Sequence, residues 1–187
     1  MGYVVVYDAC VLYPAPLRDF LLRLAVTGLF AAKWTERIHQ EWTAALLRER
    51  PELGDRLDRT RQLMDEAVPD SVVTGYESLE PALSLPDPGD THVLAAAIRA
   101  GAQGIVTFNL KDFPEEALAP FAIEAIHPDR FIESQFDLHT SAVVGAARQQ
   151  RLALKNPPKG PEEYLETLAT QGLVVTADRL AEFSDLL

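Results

Sequence analysis

Four acidic residues stand out by their places along the chain: Asp8, Glu41, Asp90 and Asp112, the last with Thr107 and Asn109 close before it. Asp8 closes the apolar run Tyr3-Val-Val-Val-Tyr7, and Asn109 and Asp112 follow a second run, Gly104-Ile-Val-Thr-Phe108, within a few residues. Open α/β sheets bind ligands beyond the carboxyl ends of their strands, which is where these groups fall. Asp90 belongs to the first turn of the helix just before the second run, and a right-handed crossover can bring that turn to the same sheet edge. Glu41, from another helix, could complete the cluster. Carboxylates gathered without Lys or Arg would repel and raise one another's pKa unless a cation filled the gap. Oxygen ligands favour Mg²⁺ or Mn²⁺ over zinc, and Cys10 with the four histidines shows no zinc spacing. A metal held this way activates water and neutralises charge on a phosphate, which suits phosphodiester hydrolysis.

The elements that must position these groups are legible in outline. Tyr3 to Tyr7 and Gly104 to Phe108 are unalternating and β-branched, the pattern of strands buried on both faces of a parallel sheet. Leu17, Leu21 and Leu24 recur at helical spacing between Pro14-Ala-Pro16 and Gly28. Thr35 is an N-cap for a helix to about Arg50, and a further helix is expected over 53–67. Val72 to Tyr76 reads as a short strand. Asp87 caps and Pro88 opens a helix that runs to about Ala100 and ends at Gly101. Ile123 to Ile126 offers a last strand, Phe131 to Phe136 a short helix or turn, and Ser141 to Leu154 a longer helix. After the proline-rich break 156–161, two helices over 162–170 and 176–187 form a hairpin tail. The expected fold is therefore α/β, with a mostly parallel central sheet between helices and a C-terminal helical hairpin. Residues 1–155 are the expected main domain and 156–187 the extension.

Each acid also has an ordinary reading. Asp8 could cap the loop after its strand, Glu41 could be a solvated helix residue, and Asp90 could be half of a capping box. Asp112 and Asn109 could form the turn before Phe113-Pro114. Asp87 is explained as an N-cap and is left out of the site. Glu36 competes with Glu41, since five residues put the two about 140° apart on one helix and both cannot easily serve one site. His92 is expected to point away from the acids, and Cys10 to be a small packed residue.

Order and context together resemble the PIN-domain family, including the VapC-type toxins of toxin–antitoxin systems. The matching stretches are Val4-Val-Val-Tyr-Asp8, Trp34-Thr-Glu-Arg-Ile-His-Gln-Glu41, Leu85-Pro-Asp-Pro-Gly-Asp90 with Thr-His-Val-Leu-Ala-Ala-Ala97, and Ile105-Val-Thr-Phe-Asn-Leu-Lys-Asp-Phe113. The tail starting at Pro157 is similar to the C-terminal extension of a subgroup of these toxins. The resemblance implies a PIN-like three-layer sandwich and a Mg²⁺-dependent endoribonuclease, with Mn²⁺ as an alternative ion. It implies that Asp8 and Asp90 hold metal, that Glu41, favoured over Glu36, is a ligand or water-positioning base, and that Asp112 is a further catalytic acid. Thr107 would orient a ligand or water. It also implies RNA as substrate, a small antitoxin protein as partner, and a homodimer. The chain departs from the family at Asn109, where many members carry an acid, so a second metal would bind weakly or only with substrate.

Composition limits the alternatives. With 48% hydrophobic and 24% charged residues in periodic segments, the chain is that of a soluble globular protein. A net charge of −11 opposes a generally basic nucleic-acid-binding surface, so RNA contact must be local. One cysteine, no signal-peptide pattern and no apolar stretch long enough to span a bilayer suggest the reducing cytoplasm. A phosphatase would need a second Asp where Cys10 stands, and a response regulator would need acids just before Asp8. A catalytically weak PIN-like protein that binds RNA or protein is the remaining rival, kept open by Asn109.

Overall fold

In a computed structural model describing residues 2–187, the first strand β1 (Val4–Tyr7) leads into a single-turn helix α1 (Ala9–Leu12) and then α2 (Ala15–Val26). Strand β2 (Ala31–Lys33), α3 (Glu36–Glu49) and α4 (Gly54–Ala67) follow. A 3₁₀ turn at Pro88–Asp90 opens α5 (Thr91–Ala100), after which come β3 (Gly104–Val106), α6 (Glu115–Leu118) and β4 (Glu124–Ile126). The chain ends in α7 (Pro128–Ala153), α8 (Pro161–Thr170) and α9 (Val174–Ala181). Internal contacts divide it into two units: the segment ending at Tyr13 with Phe30–His127, and Pro14–Leu29 with Pro128–Leu187.

The first unit is built on a four-stranded sheet in the order β2-β1-β3-β4, and every pairing is parallel. β1 takes the centre because Val5, Val6 and Tyr7 are apolar on both faces and wholly buried. Close strand packing sets one requirement at Gly104. A Cβ there would stand 2.8 Å from Ile126 Cδ1 and 3.2 Å from the Tyr3 hydroxyl, so a larger residue would have to displace the ends of both side chains.

Helix signals account for the rest of this unit. Thr35 accepts from the Ile38 amide at 3.0 Å to start α3, and Asp87 accepts from Gly89 at 2.8 Å ahead of α5. Gly101, at φ 62°, terminates α5 in the left-handed conformation. The small buried side chains of Ala95 and Ala96 let α5 pack closely, with Tyr76 in the same cluster.

Three expectations change. β2 is a strand the sequence did not suggest. Val72 to Tyr76 is not a strand: Val72 makes one bridge to Trp34, and Gly75 at φ 71° turns the chain away. The strand expected over Gly104 to Phe108 ends at Val106.

In the second unit, the two helices expected over 131–136 and 141–154 form one, kinked at His139 (φ −150°, ψ 63°). Asp129 near its start accepts from the Val175 and Thr176 amides at 2.9 Å each and from the Thr176 hydroxyl at 2.7 Å, tying α9 to α7. The last helix ends at Ala181, with a 3₁₀ turn at Ser184–Leu186. Among the described residues no helix is long and apolar enough to cross a membrane.

Candidate active site

Parallel pairing brings the ends of β1 and β3 side by side: the Asp8 amide donates to Val106 O at 3.1 Å, and the Thr107 amide to Ile126 O at 3.0 Å. The two side chains meet there, with Thr107 Oγ1 donating to Asp8 Oδ2 at 2.8 Å. Asp8 is 4% exposed, and its Oδ1 accepts from the Ala9 amide at 2.7 Å, which caps α1. The ordinary reading of Asp8 as a local cap therefore describes one of its two oxygens.

Cys10 supplies a further donor, its thiol bonding Asp8 Oδ2 at 3.2 Å. Burial and then the Asp8 charge push the thiol pKa up to about 12, so it stays protonated and able to donate. Backbone amides hold both donors in place: Phe108 N–H bonds the sulfur at 3.3 Å, and Asn109 N–H bonds the Thr107 hydroxyl at 3.0 Å. Each sulfur or oxygen accepts from the loop and is left with its own proton for Asp8. The Asn109 residue is exposed and contributes here through its backbone. Cys10 was expected only to pack; its thiol instead bonds Asp8 two residues before it, held by the Phe108 amide from a distant segment that no local signal reveals.

Asp90 closes the 3₁₀ turn at the start of α5, half-buried. Its pKa is pushed up to about 6, first by burial and then by the charges of Asp8, Asp87 and Asp112, with His92 working in the other direction. The charges of Asp8 and Asp112 thus both reach Asp90 at the carboxyl edge of the sheet. Asp87 joins this field, although its side chain is also the cap. Among the described residues the acids do not close into a group of three or more side chains at metal-ligand spacing. Mg²⁺ does not require that, since it keeps several waters and binds through one or two carboxylates. The donor set, all carboxylate oxygen in a field of like charge, fits a hard divalent cation.

Glu41 has different neighbours. Its Oε1 lies 2.8 Å from His92 Nε2 and 3.6 Å from Arg37 Nε. Glu36 is engaged with Arg61 and Gln40. The expectation that His92 points away from the acids is corrected, because α3 and α5 bring its ring onto Glu41.

The comparisons with known proteins agree with this architecture. A family profile described as "PIN domain" matches residues 4–111, and one described as "VapC50 C-terminal domain" matches residues 128–182. Among curated proteins, "Putative ribonuclease VapC50" of Mycobacterium tuberculosis (strain ATCC 25618 / H37Rv) is 36% identical over 121 residues, covering 65% of this chain and 71% of that protein. No solved structure matches the chain. With a parallel sheet whose carboxyl edge carries the acids, and a profile match over more than half its length, the chain belongs to the PIN-domain family.

Proposed function

We propose that this protein is a metal-dependent endoribonuclease and the toxin of a toxin–antitoxin pair. The observation that carries the reading is half-buried Asp90 within the field of Asp8, Asp87 and Asp112, its pKa raised to about 6 first by burial and then by those charges. An edge that holds acids against their own repulsion favours a cation. Asp8 and Asp90 would hold Mg²⁺ or Mn²⁺, with Glu41 as a further ligand or the base that positions water. When bound, the metal activates water and offsets the charge that builds on the phosphate. Thr107 and Cys10 both donate to Asp8 Oδ2, leaving the second lone pair of Oδ1 as the open acceptor on that carboxylate. Asp112 adds negative charge to the cation site.

The name of the mycobacterial relative supports RNA as substrate, and the VapC-type likeness supports an antitoxin partner. The experiment is RNA cleavage by the purified protein in Mg²⁺ or Mn²⁺. Cleavage is expected, and EDTA or Asp8→Asn is expected to abolish it; cleavage that survives both overturns the metal site. In cells, expression of the parent should arrest growth while Asp90→Ala should not, and equal toxicity would favour the second reading. That reading, a catalytically weak protein that binds RNA or protein, is favoured by Asn109, which brings no charge where many relatives carry an acid.

A further inference from the structure

His92 is fully buried, and neither ring nitrogen makes a hydrogen bond of acceptable geometry. Leaving a buried polar group without a partner is costly, so such a ring calls for an explanation other than packing. The polar contact it does make is close: Nε2 stands 2.8 Å from Glu41 Oε1, and a small rotation of the carboxylate would align it as a charge-assisted bond. His92 lies two residues after Asp90, so the first turn of α5 carries one acid of the site and a contact to another acid on α3.

We infer that His92 is a positioning residue that sets the Glu41 carboxylate for the reaction, an inference that rests on the nuclease reading above. Arg37 also reaches Oε1, but it is half-exposed and shared with Glu80, so it holds the carboxylate loosely. The imidazole is enclosed and cannot swing away. Both contacts fall on Oε1, which leaves Oε2 as the oxygen for water or cation. A ring nitrogen that carries a proton donates to Oε1 and orients the pair, as partners behind metal-site carboxylates do elsewhere.

The test compares His92→Leu, which removes the donor, with His92→Gln, which keeps an N–H at similar reach, both checked for folding by circular dichroism. His92→Leu is expected to lower kcat on RNA about 10- to 100-fold with KM changed less than about twofold, and His92→Gln to recover most of it. In a Glu41→Gln background, His92→Leu should have no further effect on Mn²⁺ affinity. Parent-like kcat in folded His92→Leu, equal losses in Leu and Gln, or an additive loss of Mn²⁺ affinity in the double variant each overturns the inference. Should His92→Leu fail to fold, His92→Asn replaces it: Asn is too short to reach Glu41, and activity equal to that of His92→Gln overturns the inference. Parent protein that neither binds Mn²⁺ nor cleaves RNA breaks the nuclease reading itself, a result separate from any difference among His92 variants.

Discussion

Two aspartates of this protein are almost equally buried, Asp8 at 4% exposure and Asp129 at 6%, yet they belong to different kinds of site. Asp129 accepts from two amides and a hydroxyl of one helix start, so its charge is spent on joining two helices. Asp8 also has three donors, but its charge acts outward, adding to the burial that raises the pKa of Asp90. Burial and hydrogen-bond number do not separate structure from function here; what separates them is whether like charges are held nearby. The largest expected effect follows directly. Asp8→Asn and Asp90→Asn should each lower RNA cleavage about 10³-fold with the fold kept, since the cation loses a charged ligand. Folded Asp129→Asn should cleave at the parent rate, measured as initial rate per folded molecule. Comparable losses at Asp129 and Asp8 would erase the distinction.

The second effect runs the other way. Asp129→Ala strands the Val175 and Thr176 amides and the Thr176 hydroxyl, and should cost about 3 kcal/mol in denaturant unfolding. If Asp8→Asn costs as much, Asp8 is structural too.

How far the sequence alone reaches follows the same division. Signals local in the chain are readable: the unalternating Val4–Tyr7, the caps Thr35 and Asp87, and the stop at Gly101 all sit where the residues say. The positions of Asp8 and Asp90 are readable because strand ends and helix starts are local features. Features made by pairing are not. Ala31-Ala-Lys33 carries no strand signal and becomes one because it lies in register with Val4–Val6. Val72 to Tyr76 has the right residues, but Gly75 ends the pairing after one bridge. The Thr107 bond to Asp8, the His92 contact and the Asp129 clamp each join residues from distant segments, and no periodicity encodes them.

Cation binding tests the electrostatic half of the comparison. The folded-state pKa of Asp90, about 6, lies above its ordinary 3.8, so folding favours the protonated acid, and this contribution is lost as pH rises from 3.8 through about 6. At neutral pH the acids repel in full, and a divalent cation relieves them. Mn²⁺ at 100 times its Kd should stabilise the parent by about 2.7 kcal/mol. Tm should rise more at pH 7.5 than at pH 5, and the rise should be largely absent in Asp90→Asn. An equal rise in Asp90→Asn would place the ion elsewhere.

The smallest effect concerns a carboxylate that is neither spent on a helix start nor set among acids. Asp65 Oδ1 accepts from Trp34 Nε1 at 2.8 Å and contacts His39 Nε2 at 3.0 Å, while His39 Nδ1 accepts from Trp42 Nε1 at 3.0 Å. The Trp42 bond requires a neutral Nδ1, which puts the proton on Nε2, facing Asp65. Burial lowers the His39 pKa and outweighs the opposing pull of Asp65. Because the folded state holds the neutral ring, unfolding takes up a proton as pH falls below the ordinary 6.5, so stability complete above that value is lost beneath it. Denaturant midpoints read by tryptophan fluorescence should therefore fall between pH 7.5 and pH 5.5, and less so in His39→Gln. Without a divalent cation the Asp90 contribution has the opposite slope, since it is lost as pH rises, so profiles taken in EDTA for the parent, Asp90→Asn and His39→Gln separate the acid edge from the aromatic network; a His39→Gln profile identical to the parent's would remove His39 from the account.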